Sequence, residues 1–542
     1  WKTQTREEKP AYVVAVLDSG IDETNPDLKD ILWTGDVFGP GGDSHGCFMY
    51  SPSNDEATAP GNSSTTGMKI EHGSHVAGII AAQWNGKGTS GIASNVKVMS
   101  LRMDLSYAST FSCMAYAKKA VKQGVNLIAV NNSWGMGLNS TDLINLAVTD
   151  LGKMGVVSVF ASANDHVNTD QTLTTVSTLA NNPYVVTVDS INPTGSKAYY
   201  SNFGVQTTDI MAPGSIILST VINDEKTMSF MGEINAHAPA GSEARNNLVS
   251  YSSFDDQSVN PFESFAVYTD EKGVSWGSDL NYPVVQPAAG TFDGTGALSV
   301  KTNDDGYVSI VSSVNDLSGL EAKPRFVSYR YTAEQPGRAP YSKSIRVPVI
   351  YTHQDGSKTK AYKSVPAVNQ FGSLDFSYAG AEADLSNAET VTKEEAEQGI
   401  TGSCINWEEF SVVFEVELHS PGSLTPGTVY FDSIALGSCR YPYSYLDGTS
   451  MAAPAAVGVL SVIAGQHADS LGTLQTPAFA EKLAALVKGS AVVSLEYDQL
   501  CATSGLVSVE GANNPGPVIS VIEDGQDTFT LTGYYLDGAS VT

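Results

Sequence analysis

Short, mainly apolar runs punctuate the first 220 or so residues of the chain. Ala11–Leu17 reads AYVVAVL without a break, and Val96–Met103, Val125–Val130, Val156–Phe160 and Tyr184–Val188 are short and mainly apolar. Runs of that length without polar alternation predict strands buried on both faces. Between them, Cys113–Gln123 and Leu143–Met154 read as helices. Strands alternating with helices at this spacing predict an α/β architecture, a mostly parallel sheet with crossover helices. A further strand is predicted near Ser215–Val221. From about Asn223 to Tyr441 the pattern changes to alternating polar and apolar positions broken by turn residues. Phe265–Thr269, Tyr307–Val311, Arg325–Tyr331, Ile345–Tyr351, Ser411–Leu418 and Val429–Ile434 are the clearest runs. Many short alternating strands predict an antiparallel β-sandwich. After Tyr441 the chain reverts to the pattern of its first 220 residues. Met451–Gly465 is almost wholly apolar or small, which predicts a helix inside the protein, and Pro477–Leu486 predicts another, followed by a short strand at Gly505–Val509.

These changes divide the chain. Residues 1–222 and 442–512 read as two parts of one α/β domain, with 223–441 as an inserted all-β sandwich. Residues 513–542 read as a Pro/Gly linker and the start of a further β domain. The chain has 542 residues, 42% of them hydrophobic, which allows large cores and excludes a disordered protein. Its formal charge of −28 argues against a nucleic-acid partner, which needs clusters of Lys and Arg. The same balance fits a soluble extracellular protein, and acidic loops could hold calcium. No apolar run reaches membrane-spanning length, and the longest, near Ala452–Gly465, carries Pro454. The chain opens at Trp1 without a signal-peptide pattern and stops within a predicted segment, so a processed form is expected. The five cysteines (47, 113, 404, 439 and 501) are too few for a disulfide scaffold. Cys404 and Cys439 are the two that could pair.

Candidate chemistry sits at the ends of the predicted elements. Asp18 follows the first strand, where either a turn aspartate or a useful buried carboxylate is expected. His72 and His75 stand three apart on a helix face; without an HExxH pattern or a third ligand, a base beside a structural histidine is the better reading than a metal pair. His45 and Cys47 lie in a Gly/Ser/Pro/Thr-rich stretch, 35–67, read as a surface loop. Asn164 follows the fourth strand and is either a turn residue or an amide donor for an oxyanion. Ser450 opens the buried helix in Asp447-Gly448-Thr449-Ser450-Met451-Ala452-Ala453-Pro454. Alone, such a serine is a helix cap. With a histidine and a carboxylate it becomes a nucleophile at the positive end of a helix.

Taken in order, VLDSGID (16–22), HGSHVAG (72–78), NNSWG (131–135), SAN (162–164), APG (212–214) and GTSMAAP (448–454) resemble the subtilisin-like serine proteases, the subtilase family. The resemblance covers about 11–221 and 441–512 and implies a subtilisin-like three-layer fold and a serine endopeptidase acting on protein or peptide substrates. It implies Ser450 as nucleophile, His72 as general base and Asp18 as its orienting carboxylate. Asn164 becomes the side-chain donor of the oxyanion hole. Ser133, Trp134 and Gly135 become the strand that pairs with an extended substrate, and with Ala161, Ser162 and Ala163 they wall the pocket for the residue before the scissile bond.

The departures from the family pattern are few. Ser74 replaces the usual Thr, Ala163 the usual Gly, and Ala455 a frequent His. The methyl of Ala163 is expected to narrow the pocket. The largest departure is the block between Gly214 and Gly448. Its segment Thr428–Ile434 resembles strands of jelly-roll domains, so a glycan or protein ligand of the insertion, or a mere spacer or groove wall near the active-site mouth, are the expectations. No cofactor is implied for the chemistry. A structural calcium is implied at Asp27, with Asn85 in the loop 83–89; an ordinary tight loop is the alternative. The family also implies secretion or attachment to the cell surface. A surface adhesin built on an inactive protease scaffold is the competing reading, against which the intact set of catalytic positions argues.

Overall fold

The structure, a computed structural model, describes residues 12–35, 37, 47–49, 71–86, 88–94, 96–135, 141–223, 228–230, 232–237, 245, 247–254, 264–268, 279–285, 296–333, 339–372, 379–420, 423–516, 518–524 and 529–534. The chain forms two compact units, Trp1–Thr227 with Pro442–Thr542, and Met228–Tyr441.

The first unit is built on a nine-stranded sheet. Its strands are β1 (Tyr12–Asp18), β2 (Cys47–Met49), β3 (Val96–Arg102), β4 (Leu127–Asn132), β5 (Val157–Ala161), β6 (Val185–Ile191) and β7 (Ile210–Pro213), closed by the short β10 (Val492–Val493) and β11 (Gly505–Leu506). The order is β2-β3-β1-β4-β5-β6-β7-β11-β10, and every pair is parallel except β11 with β10. The mainly apolar runs have a direct cause. Along β1, Val14 and Val16 enter one core, while Val13, Ala15 and Leu17 enter another on the opposite face. The first core is covered by α1 (Glu71–Ala81), α4 (Thr449–Gln466) and α5 (Pro477–Gly489), the second by α2 (Tyr107–Lys122) and α3 (Thr141–Gly152). Helices on both faces of a parallel sheet make the three layers expected.

All of α4 is buried except Ser450, Gly465 and Gln466. Its length and composition would suit a membrane span, but here it is the central helix of the unit. Each fully buried Val, Leu or Ile along it contributes about 1.5–3 kcal/mol. Two further strands, β8 (Ile217–Thr220) and β9 (Tyr443–Leu446), pair antiparallel where the chain leaves this unit and returns to it. Val221 N–H donates to Pro442 O just beyond them.

The second unit holds two antiparallel sheets over one core. One runs 265–267, 307–312, 413–420, 339–353 and 358–366, with 400–405 and 423–424 added; the other runs 279–285, 297–301, 428–437, 326–333, 379–384 and 368–372, with 248–252 added. Ile345, Val347 and Val349 from the first sheet meet Val327, Tyr329 and Tyr331 from the second in that core, which defines a β-sandwich.

Some boundaries differ from the sequence reading. Residues 47–49 form an edge strand inside the stretch expected to be a loop; His45 lies outside the described residues. The helix expected from Cys113 begins at Tyr107, because Ser106 caps it by accepting Ser109 N–H. Residues 518–524 and 529–534 pair as a hairpin and group with the first unit, where Tyr534 Oη donates to Glu481 of α5. Cys404 and Cys439 are free and exposed rather than paired.

Candidate active site

Asp18 ends β1 and is nearly sealed from water at 2% exposure. Its carboxylate accepts Ser19 N–H and faces His72, whose Nδ1 lies 2.9 Å from Oδ1 and 3.0 Å from Oδ2. A carboxylate only accepts, so Nδ1 carries the proton and the Nε2 lone pair is left for another partner. The contact requires α1 to start hard against the loop after β1. Gly73 permits this: a Cβ there would lie 2.2 Å from Gly20 O. Gly73 N–H donates to Ser19 Oγ, and Asp22 N–H to Ser74 Oγ, so the serine at position 74 still supplies a hydroxyl tie. Burial alone would depress the His72 pKa, but the charge and hydrogen bond of Asp18, with help from Glu71, raise it above the ordinary histidine range. His75, one turn on, is buried and bonded through Nε2 to Ser444 O. Burial pushes its pKa down to about 3, which makes it a neutral structural histidine.

Gly448, not Ser450, is the N-cap of α4. The cap reading of the serine is thereby set aside. Gly448 has φ +149°, where a side chain is disfavoured, and an added Cβ would sit 3.4 Å from Asn164 Nδ2. Ser450 is half-buried in the first helical turn, where its backbone N–H has no helical acceptor. Its Oγ donates to Ser133 O at 3.2 Å, and among the described residues no hydrogen bond joins it to His72. Such bonds often tighten only when substrate binds.

Asn164 is exposed just past β5. Its Oδ1 accepts both Thr449 N–H and Thr449 Oγ1–H, each at 2.9 Å, which fixes the amide and leaves Nδ2 to donate. Thr449 Oγ1 also accepts Ala163 N–H. Thr449 is thus the residue that sequence reasoning passes over: it lies inside the GTSMAAP segment but reads there only as a helix-start residue. Tyr200 is another, since its hydroxyl accepts Gly448 N–H and donates to Gly214 O, joining the APG and GTS segments.

The predicted substrate strand and pocket are brought together because β4 and β5 pair in parallel, so 133–135 and 161–163 emerge side by side. Their side chains do not all face that space. Trp134 is 8% exposed and packs edge-on against Phe160 in the core, so only its backbone can pair with a substrate. Ser162 is buried with Oγ on Asn202 O, and Ala161 and Ser133 are buried as well. Gly135 is exposed and Ala163 half-buried. Ala163 adopts φ +79°, a left-handed conformation unusual for a residue with a Cβ.

The calcium expectation does not fit the described residues. Asp27 Oδ1 accepts Asn85 Nδ2–H at 2.8 Å, while Oδ2 accepts Thr89 N–H at 3.1 Å and Tyr443 Oη–H at 2.8 Å. Calcium needs six or more oxygen acceptors, and the groups aimed here are donors. Among the described residues no cluster of three His, Cys, Asp or Glu could hold a metal.

Residues 9–253 match the subtilase family. The match takes in Asp18, His72 and Asn164 and stops before Ser450, which the fold returns to the same sheet end through α4. An extracellular protease of Xanthomonas campestris pv. campestris is 32% identical over 231 residues, 39% of this chain and 38% of that protein. Subtilisin E of Bacillus subtilis is 29% identical over 209 residues, 38% of this chain and 48% of that protein. The chain therefore spans less than half the length of these relatives. Among solved structures, the psychrophilic subtilisin-like protease Apa1 of the Antarctic Pseudoalteromonas sp. AS-11 aligns over 92% of both chains with a TM-score of 0.43 and 15% identity.

Proposed function

We propose that this chain is a serine endopeptidase that hydrolyses peptide bonds through an acyl-enzyme on Ser450. What supports this reading is a bonded Asp18–His72 pair, a serine in the first turn of a buried helix and, next to that serine in the chain, a threonine that fixes the asparagine amide. In this reading an extended peptide pairs with the backbone at 133–135. Ser450 Oγ attacks the scissile carbonyl as His72 Nε2 takes its proton, and Asp18 stabilises the resulting imidazolium. Charge developing on the carbonyl oxygen is met by Asn164 Nδ2 and Ser450 N–H, each such donor being worth roughly 10²–10³ in turnover. His72 then protonates the leaving amine, and water repeats the sequence to release the acid. The extracellular protease among the relatives and the acidic surface support action outside the cell.

The test is labelling by a fluorophosphonate probe. Folded wild-type protein is expected to label, and Ser450→Ala to abolish labelling with the fold intact. Folded wild type that does not label overturns the reading in favour of a binding protein on a protease scaffold.

A further inference from the structure

Two serines from opposite sides of the site hold each other. Ser133, just past β4, donates its Oγ–H to the backbone carbonyl of Ser450 at 2.8 Å. Ser450 donates its own Oγ–H back to the carbonyl of Ser133 at 3.2 Å. Behind them Asn131, fully buried, donates Nδ2–H to Ser133 Oγ at 2.9 Å and so fixes the direction in which that hydroxyl donates.

The reason lies four residues further along α4. In a helix the carbonyl of residue 450 would accept the N–H of residue 454, and residue 454 is proline. Proline has no N–H, and its ring pushes the carbonyl four residues before it off the helix axis. The Ser450 carbonyl therefore loses its i+4 partner and tilts outward at the turn that carries the nucleophile. A carbonyl left there without a partner is destabilising.

We infer that Ser133 is a positioning residue for the nucleophile: its side-chain hydroxyl replaces the helical hydrogen bond that Pro454 cannot make, and so sets the first turn of α4 against the oxyanion donor and the base. The inference rests on the endopeptidase reading and adds a coupling between two segments far apart in sequence. It also gives the returning bond a role. The Ser133 carbonyl holds the Ser450 hydroxyl in a resting direction, and an extended substrate pairing at residue 133 takes that carbonyl and frees the hydroxyl to turn toward His72 Nε2.

The test is a double-mutant cycle between Ser133→Ala and Pro454→Ala, read by steady-state turnover of a peptide, the rate of fluorophosphonate labelling, and thermal unfolding. Ser133→Ala is expected to lower kcat about 10- to 100-fold, with KM changed less than about twofold, because the backbone that pairs with substrate is untouched. The acid limb of the pH profile stays in place, because Asp18 and His72 are not involved. Ser133→Thr, which keeps the hydroxyl, restores most of the activity. Pro454→Ala supplies the missing backbone N–H, so in that background Ser133→Ala costs less than about threefold. Where Ser133→Ala does not fold, Ser133→Cys, a weak donor of similar size, takes its place in the same cycle. Additive effects, or a loss confined to KM, overturn the inference while a labelled wild type leaves the endopeptidase reading standing. An unlabelled but folded wild type overturns both, even if unfolding shows the two residues to be coupled.

Discussion

Glu382 in the second unit and Asp18 in the first are both nearly sealed from water, at 4% and 2% exposure, and each holds a basic side chain. Glu382 is closed on all sides. One oxygen accepts Arg440 Nε–H at 2.6 Å and the other Phe230 N–H at 2.7 Å. Burial raises its pKa in spite of these partners, while the Arg440 guanidinium, always charged, also lies 4.4 Å from the Phe326 ring centroid. Asp18 instead holds a histidine, whose side chain is 38% exposed and able to lose its proton. The same burial of a carboxylate thus serves the fold in one unit and leaves a reactive nitrogen at the surface in the other. What separates structure from chemistry here is the partner: a permanent cation closes the pair, a titratable and half-open one does not.

Exchanging the carboxylates for neutral groups tests that contrast most sharply. Asp18→Asn is expected to lower turnover by about 10⁴, because the amide no longer fixes the His72 tautomer, with little change in thermal stability. Glu382→Ala should do the opposite. It removes the carboxylate from the half-buried Arg440, which costs roughly 3 kcal/mol in urea unfolding, at the low end for a broken buried pair because Arg440 retains some contact with water. Turnover of the folded fraction should hold. A large catalytic loss in Glu382→Ala, or a large stability loss in Asp18→Asn, breaks the comparison.

The pH profile sharpens it. His72 must be neutral to accept the Ser450 proton, and its pKa is raised, so activity is lost on the acid side at a pH above that of an ordinary histidine. Glu71 contributes to the raised value. Glu71→Gln should therefore move the acid limb of kcat/KM to lower pH, with the plateau rate little changed. A limb that stays in place shows that Asp18 alone governs the pair.

How much of this was legible in the sequence depends on how local each feature is. The parallel sheet could be read because β1, β4, β5 and β6 are buried on both faces, so they read as short, mainly apolar runs. Asp18, His72 and Ser450 could be located because they lie at the ends of elements, and Asn164 because it follows one closely. The grip of Thr449 on Asn164 and the Ser133–Ser450 clasp could not, since they join residues 285 and 317 positions apart. The lysine-rich strand 358–366 escapes a sequence reading for a different reason. It is largely exposed at a sheet edge, and such edges carry charge that reads as loop. Tyr443 gives no sign of its bond to Asp27, 416 residues away, which changes the expected calcium locus into a junction of hydrogen bonds.

The smallest expected effect concerns Ala163, where the local rule is broken within the site itself. Its φ of +79° costs about 1 kcal/mol for a residue with a Cβ and nothing for glycine. The conformation is held from both sides, because Ala163 N–H donates to Thr449 Oγ1 and its carbonyl accepts Asn202 N–H. Ala163→Gly should therefore keep the backbone where it is, release the strain and raise the unfolding midpoint by roughly 2–4 °C, less whatever the freer unfolded chain recovers. The same change removes a methyl next to Asn164. If that methyl narrows the pocket for the residue before the scissile bond, the ratio of kcat/KM for a peptide with Phe there over one with Ala should rise about tenfold or more. A gain in stability with an unchanged ratio would separate the two effects: the strain would then belong to holding Thr449 and Asn164 in register, and selectivity would have to be set elsewhere along 133–135.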